Sequence, residues 1–377
     1  MIPATPRGFK DVLPDEARWR EEITKRAQSV LSSWGYAPIE TPSLEILKVL
    51  ELGGQLNKTP FRLFDSDGAL LVMRPDVTLP IARMVATKLK SVEKTLRFRY
   101  VQPVFREEES LRGQVREFTQ IGVEFIGRFG ALGDAEVILL MIDTLKACGL
   151  KEFTIAICTV GVLRDLLSAI EFENDEVEQW RSDVLRACHQ NNLVEVKRLA
   201  LDSRVDRRYG SVLQELLDIR GGSEAVQRCK NLVGALDCAG GLDILSQTYE
   251  IIEKAGAREH VTVDFSVMGE FDYYTGLLFE AYAPQLGVSL GSGGRYDHML
   301  EAYGMKAPAA GFAINLERVM TALIKQGVLA DKSILKPACH SVVPDESNPA
   351  AAFIEAERLR KTGLSVVLAG FDEESEL

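Results

Sequence analysis

Two strand-like runs joined by a charged turn, from Leu96 to Gly127, constrain the fold of this chain more than any other stretch. In the first run Leu96, Phe98 and Tyr100 alternate with Arg97, Arg99 and Val101, the period of a strand. In the second, Thr119, Ile121, Val123 and Phe125 face one way, and Arg116, Phe118, Gln120, Gly122 and Glu124 the other. Side chains two apart on a strand share a face, so one face places a glycine between an amide and a carboxylate. The turn between the runs, Arg106 to Val115, is too long for a tight hairpin. The stretch reads in two ways: a hairpin with a solvated outer side, or the floor of a small polar pocket beside a functional loop.

At 377 residues, 46% apolar and 26% charged, the chain can bury a large core and divide into two or three domains. Its net charge of -11 argues against a surface devoted to nucleic-acid phosphates. Six cysteines lie scattered without a CxxC pair, and four histidines form no ligand-like array, so no metal is expected. Such cysteines read as small core residues of a reducing compartment. The N-terminus has no apolar leader and no stretch reaches membrane-spanning length, which points to the cytoplasm.

Along the chain, a proline-punctuated arm ends at Pro14, and a helix capped by Asp15 is expected to about Trp34. The segment YAPIETPSLE carries Pro38 and Pro42, which suit an edge strand or an interface arm. A hairpin is expected around Asp65–Gly68, then a helical run from Ile81 to Leu89, then a helix capped by Asp134 and ending near Gly149. A strand, Phe153–Thr159, precedes a leucine-rich helical stretch from about 162 to 256, read as an inserted module. Strands are expected again at His260–Val267, Gly276–Tyr282 and Gly287–Leu290, followed by a strand and helix in AAGFAINLERVM. Beyond Lys336-Pro337 lies one βαβ unit, too small to bury both faces of its strands alone.

Several side chains could carry chemistry. Arg106, at a strand end, suits a carboxylate or phosphate held bidentately, or a surface ion pair with Glu107, Glu108 or Glu109. Gln120 and Glu124 suit a ligand with N–H donors, such as an amine or an imidazole. Asp76 and Thr78 form a second acid–hydroxyl pair, with helix capping as the alternative. Gly291, Gly293 and Gly294 allow close approach of a ligand or tight strand packing, and they lack the spacing of a phosphate loop. Tyr273, Tyr274 and Tyr296 offer hydroxyls, or fill the core.

Together these residues resemble the class II aminoacyl-tRNA synthetases, and within them the histidyl-tRNA synthetase branch, over about Pro3 to Ala322. IETPSLE is similar to the first class II motif, VFREEESLRGQVREFTQIGVE to the second and GFAINLER to the third; FDYYTGLLFE and GSGGRYD resemble the two histidine-pocket signatures. The resemblance implies an α+β fold: an antiparallel sheet flanked by helices over 1–325, with a helical insertion, and a partial α/β tail over 336–377. It places Asp76 and Thr78 at the ligand's amino group, Arg106 as the second-motif arginine, and Gln120 and Glu124 on the pocket floor. Tyr274 and Tyr296 take the signature tyrosine positions, and Arg318 the third-motif position that meets ATP phosphate in synthetases.

The departures shape the functional expectation. Where synthetases carry an RGLDYY-type signature this chain reads MGEFDYY, with Gly269 in place of the arginine and Glu270 beside it. The second-motif loop is EEESLRGQ, acidic where synthetases are basic, and like charge opposes a triphosphate and the tRNA acceptor end. The tail is also shorter than a complete anticodon-binding domain. Histidine binding is thus expected to be kept and aminoacylation lost, with Arg318 left as a remnant of an ATP site. This pattern resembles the synthetase-like regulatory subunits of ATP phosphoribosyltransferase, the first enzyme of histidine biosynthesis; the alternative is a divergent histidyl-tRNA synthetase or related amino-acid ligase. That family implies no catalysis of its own, no cofactor, feedback by L-histidine, a homodimer through the class II interface, and a hetero-octamer with the short catalytic subunit. No tRNA and no membrane are expected as partners.

Overall fold

The computed structural model of the chain describes residues 4–54, 60–89, 94–107, 115–127, 129–172, 176–190, 192–236, 238–267, 274–330, 339–344 and 347–369. Its strands are β1 (Ala37–Pro38), β2 (Leu44–Ile46), β3 (Arg62–Phe64), β4 (Leu70–Met73), β5 (Leu96–Phe105), β6 (Glu117–Ile126) and β7 (Thr154–Thr159). They continue with β8 (Arg220–Gly221), β9 (Val261–Asp264), β10 (Leu277–Tyr282), β11 (Gly291–Arg295), β12 (Ala309–Asn315), β13 (Cys339–Val342) and β14 (Ser365–Leu368). Nine of them form one sheet in the order β1-β5-β6-β12-β11-β10-β7-β9-β8. Its middle is antiparallel, and the parallel pairs β1/β5 and β7/β9 lie toward its two edges.

The ten-residue hairpin β5/β6 is the longest pairing, from Leu96↔Ile126 to Phe105↔Glu117. Its outer side is not solvated. Phe118, Gln120, Gly122 and Glu124 are buried, and so are Ile121, Val123 and Phe125 on the other face. β6 lies between β5 and β12, so both of its edges are paired as well. The hairpin reading with a wet outer side therefore fails at β6.

The helices are α1 (Pro14–Ser33), α2 (Leu47–Leu52), α3 (Thr78–Lys88), α4 (Ala131–Ala147), α5 (Val160–Ser168) and α6 (Glu176–His189). After them come α7 (Leu193–Ala200), α8 (Arg207–Leu216), α9 (Ser223–Val233), α10 (Leu242–Lys254), α11 (Leu316–Lys325) and α12 (Pro349–Lys361). α1 buries Ile23, Ala27 and Leu31, a four-residue spacing that makes one stripe. Its cap position is Leu13, not Asp15: Pro14 begins the helix, where its missing N–H costs nothing, and Asp15 sits in the first turn. α4 packs against α1 and α10, and reaches β6 and β12. Its cap position is Gly130; Asp134 lies one turn in and is buried, so it does not cap.

The stretch between β7 and β9 holds α5 to α10 and the two-residue strand β8, which pairs with β9. β7 and β9 are parallel neighbours, which a tight turn cannot join, and this helical stretch supplies the crossover. The strand expected at Gly287–Leu290 instead begins at Gly291 and takes in the glycine run. Small residues are needed there: a Cβ on Gly293 would come within 2.3 Å of the Gly311 carbonyl oxygen and 2.5 Å of the Phe279 ring. Tight strand packing, not a ligand, accounts for that glycine.

β2, β4 and β3 make a small antiparallel sheet. The β3–β4 turn at Asp65–Gly68 is as the sequence indicates, with Gly68 at φ +84°. Arg74, 2% exposed, ties this sheet to the body: Nε donates to the Pro103 carbonyl at 2.8 Å, Nη1 to the Thr41 carbonyl at 2.7 Å, and Nη1 also to Gln102. β13, α12 and β14 form the expected βαβ tail. Among the described residues, no helix is long and apolar enough to cross a membrane.

Candidate functional site

The face of the large sheet that carries Gln120, Gly122 and Glu124 is built from small residues on neighbouring strands. Register places Glu124 opposite Gly311 and Gly311 opposite Gly294; in the next row, Gly122 faces Ala313 and Ala313 faces Ser292. Ala313 and Ser292 remain partly open, so the floor stays shallow where larger side chains would fill it. The glycines also seat larger groups. A Cβ on Gly311 would lie 2.3 Å from Glu124 Oε2, and one on Gly122 would lie 2.4 Å from the Tyr100 hydroxyl. The carboxylate and the phenol thus lie down over glycines.

Glu124 is the centre of this arrangement and is 1% exposed. Thr78 Oγ1 donates to its Oε1 at 2.8 Å, the Tyr100 hydroxyl to the same oxygen at 3.4 Å, and the Tyr296 hydroxyl to Oε2. Burial pushes its pKa well above the usual carboxylate range; the Thr78 bond opposes this, and the nearby Asp76 charge adds to it. Tyr100 is held well above the ordinary phenol range, by burial first and then by the charge of Glu124. A cation bound beside this buried carboxylate would favour its ionised form.

The structure brings most of the candidate residues together. Asp76 precedes the cap position of α3, Val77; its Oδ1 accepts from the Leu79 amide at 3.0 Å, and its charge acts on Glu124. Tyr274 is buried with its ring against Gly294, on the same face of the sheet. Gln120, 6% exposed, has a buried Oε1 that accepts no hydrogen bond among the described residues. Arg106 flanks the group: its Nε donates to the Pro75 carbonyl at 2.9 Å and its guanidinium lies 4.9 Å over the Phe118 ring. Glu107 instead pairs with Arg116, at 3.4 Å. Arg318 stands at the Asn315 end of the floor, where Nη1 donates to the Ser289 carbonyl at 2.9 Å. Glu108, Glu109, Gly269, Glu270 and Tyr273 lie outside the described residues.

Tyr100 and the Asp134–Arg295 pair were not among the candidates. Arg295 Nη1 donates to Asp134 Oδ2 at 3.2 Å, Nη2 to the Phe129 carbonyl at 2.9 Å and Nε to Asp297 at 3.0 Å, which fixes the strand end that carries Tyr296. Burial pushes the Asp134 carboxyl up to about 6, against the pull of Arg295. The only sequence signal for Tyr100 was its strand period. Among the described residues, no group of three or more His, Cys, Asp or Glu side chains could hold a metal ion.

The family model described as histidyl-tRNA synthetase matches residues 8–319. An ATP phosphoribosyltransferase regulatory subunit from Moorella thermoacetica is 34% identical over 367 residues, spanning 97% of this chain and 92% of that one. Another, from Bacillus subtilis, is 38% identical over 324 residues, or 84% and 81% of the two chains. This chain belongs to that family of regulatory subunits. A structure from Bacillus halodurans, described as an ATP phosphoribosyltransferase regulatory subunit/histidyl-tRNA synthetase, superposes with a TM-score of 0.87 at 32% identity, over 99% of this chain and 95% of that one. A histidyl-tRNA synthetase from a Nostoc species, 23% identical with a TM-score of 0.78 over 99% and 87%, shares the fold. The nine-stranded sheet and its helices are therefore a class II synthetase-like α+β fold carried by a regulatory family, and the small-residue face around Glu124 must be read in that setting.

Proposed function

We propose that the pocket over Glu124 binds L-histidine and that its occupancy sets the feedback inhibition of ATP phosphoribosyltransferase. As a member of its family the chain is a regulatory, non-catalytic subunit of that enzyme, working with a catalytic subunit in histidine biosynthesis. The observation that carries the ligand assignment is the buried Glu124 carboxylate, held by Thr78, Tyr100 and Tyr296 over a floor of glycine, alanine and serine. Asp76 adds a second acid, and the unpartnered Gln120 Oε1 an acceptor for an N–H. Histidine presents an ammonium and an imidazole N–H to such acceptors. Arg106 and Arg318, the cations expected to meet a carboxylate or phosphate, both donate to backbone carbonyls.

Calorimetric titration of histidine into the chain, with and without its catalytic partner, tests the pocket: no binding in either setting would remove it. Pyrophosphate exchange with histidine and ATP tests the loss of adenylation, and robust turnover would restore the ligase alternative. We place the homodimer on the small sheet, where Leu44, Ile46 and Leu63 share one face and are 44%, 48% and 41% exposed. A monomer in sedimentation would contradict this. The assembly with the short catalytic subunit is proposed as a cytoplasmic hetero-octamer, to be measured by mass.

A further inference from the structure

α3 connects the pocket to that open apolar face. Its first residue, Thr78, bonds Glu124 at 2.8 Å, and five residues further on Arg83 Nη2 donates to Glu45 Oε1 at 2.7 Å. Glu45 is the middle residue of β2 and its side chain is 6% exposed. It lies opposite Val72, which is fully buried, so it occupies the inner face of the small sheet while its neighbours Leu44 and Ile46 occupy the outer one. A pair this sheltered constrains position more than a surface ion pair does.

Two further features bear on the first half of α3. Leu79 and Tyr303 both crowd Gly53, where a Cβ would meet the Tyr303 hydroxyl at 2.5 Å and Leu79 Cδ2 at 2.7 Å, so the first turn of α3 has no slack on that side. The Tyr303 hydroxyl, which donates to the Leu50 carbonyl at 3.4 Å, feels the charges of Asp76, Glu45 and Arg83: burial first, then the two acids, push it up to about 12, and Arg83 opposes them. Arg83 Nε is buried and has no hydrogen-bond partner among the described residues, so Nη2 makes the contact with Glu45.

We propose that the Arg83–Glu45 pair is a positioning contact that carries the state of the pocket through α3 to the outer face of β2 and β4, where a second copy of the chain docks. Ligand held between Glu124 and Asp76 shifts the first turn of α3, and Arg83 transmits the shift to the middle of β2. This rests on the reading of the pocket as a histidine site.

The test combines histidine titration with backbone hydrogen exchange on the full chain, for wild type, Arg83→Met, Glu45→Met and Arg83→Lys. In wild type, saturating histidine should slow exchange at residues 44–46 and 71–73 by about 5-fold or more, the lower end of ordinary coupling. In Arg83→Met and in Glu45→Met histidine should still bind and slow exchange along residues 117–126, while the effect at 44–46 disappears. Arg83→Lys should recover part of it, which a general loss of stability would not do. If one methionine variant fails to fold, the other carries the test. Wild type that binds histidine without change at 44–46, or a methionine variant that keeps the change, overturns the link. Wild type that binds no histidine overturns the pocket reading beneath it.

Discussion

At the scale of single residues, histidine binding turns on Glu124. Replacing it by Gln removes the charge that an ammonium or imidazole would meet, and charge-assisted hydrogen bonds of this kind contribute about 1.5–3 kcal/mol, so histidine affinity should fall about 10-fold or more by calorimetry. The raised pKa adds a sign. A bound cation lowers it, so histidine binding should release a proton and tighten as pH climbs from the ordinary carboxylate value of 4.5 toward the raised value. Titrations in buffers of different ionisation enthalpy measure that proton; proton uptake would contradict it. Glu124 and Gln120 were legible in the sequence because a period of two is a local property of one strand. The role of Tyr100 was not, because the pairing register Tyr100↔Gly122 is not fixed by the period of either strand, and Gly311 was not because its register with Glu124 joins distant parts of the chain.

At the scale of elements, α4 shows how a local signal can mislead. Asp134 looks like a cap, yet it is buried one turn inside the helix and is claimed by Arg295, 161 residues away. Its carboxyl, raised from 3.8 to about 6, binds more protons folded than unfolded. Stability from this group is therefore full below pH 4 and is lost as pH rises to about 6, a change of about 3 kcal/mol at most. Denaturant unfolding of Asp134→Asn should lack that slope, and an unchanged slope would contradict the assignment. The glycine run misled in the other direction. Glycines disfavour strands on propensity, so the strand was expected before Gly291, but the crowding between β10 and β12 admits nothing larger.

At the scale of the whole molecule, the continuous hydrophobic core ends at Leu323, and the buried residues of the tail, Ala352, Ala356 and Val366, lie outside it. We therefore propose that residues 1–325 and 336–377 are separate units, with the helices between β7 and β9 an insertion in the first. Removing the tail should leave the thermal midpoint of the remainder within a few degrees and histidine binding in place, whereas loss of folding would contradict the division. The order of motifs made the large fold legible in the sequence. The closing of the crossover by β8 on β9 was not, since a two-residue strand leaves no periodic trace. The central claim is that histidine acts through the pocket at Glu124. Its most direct test is inhibition by histidine of ATP phosphoribosyltransferase reconstituted from the catalytic subunit and either wild-type or Glu124→Gln chain. The account predicts a histidine inhibition curve displaced by about 10-fold or more in the variant. Superimposable curves would contradict it.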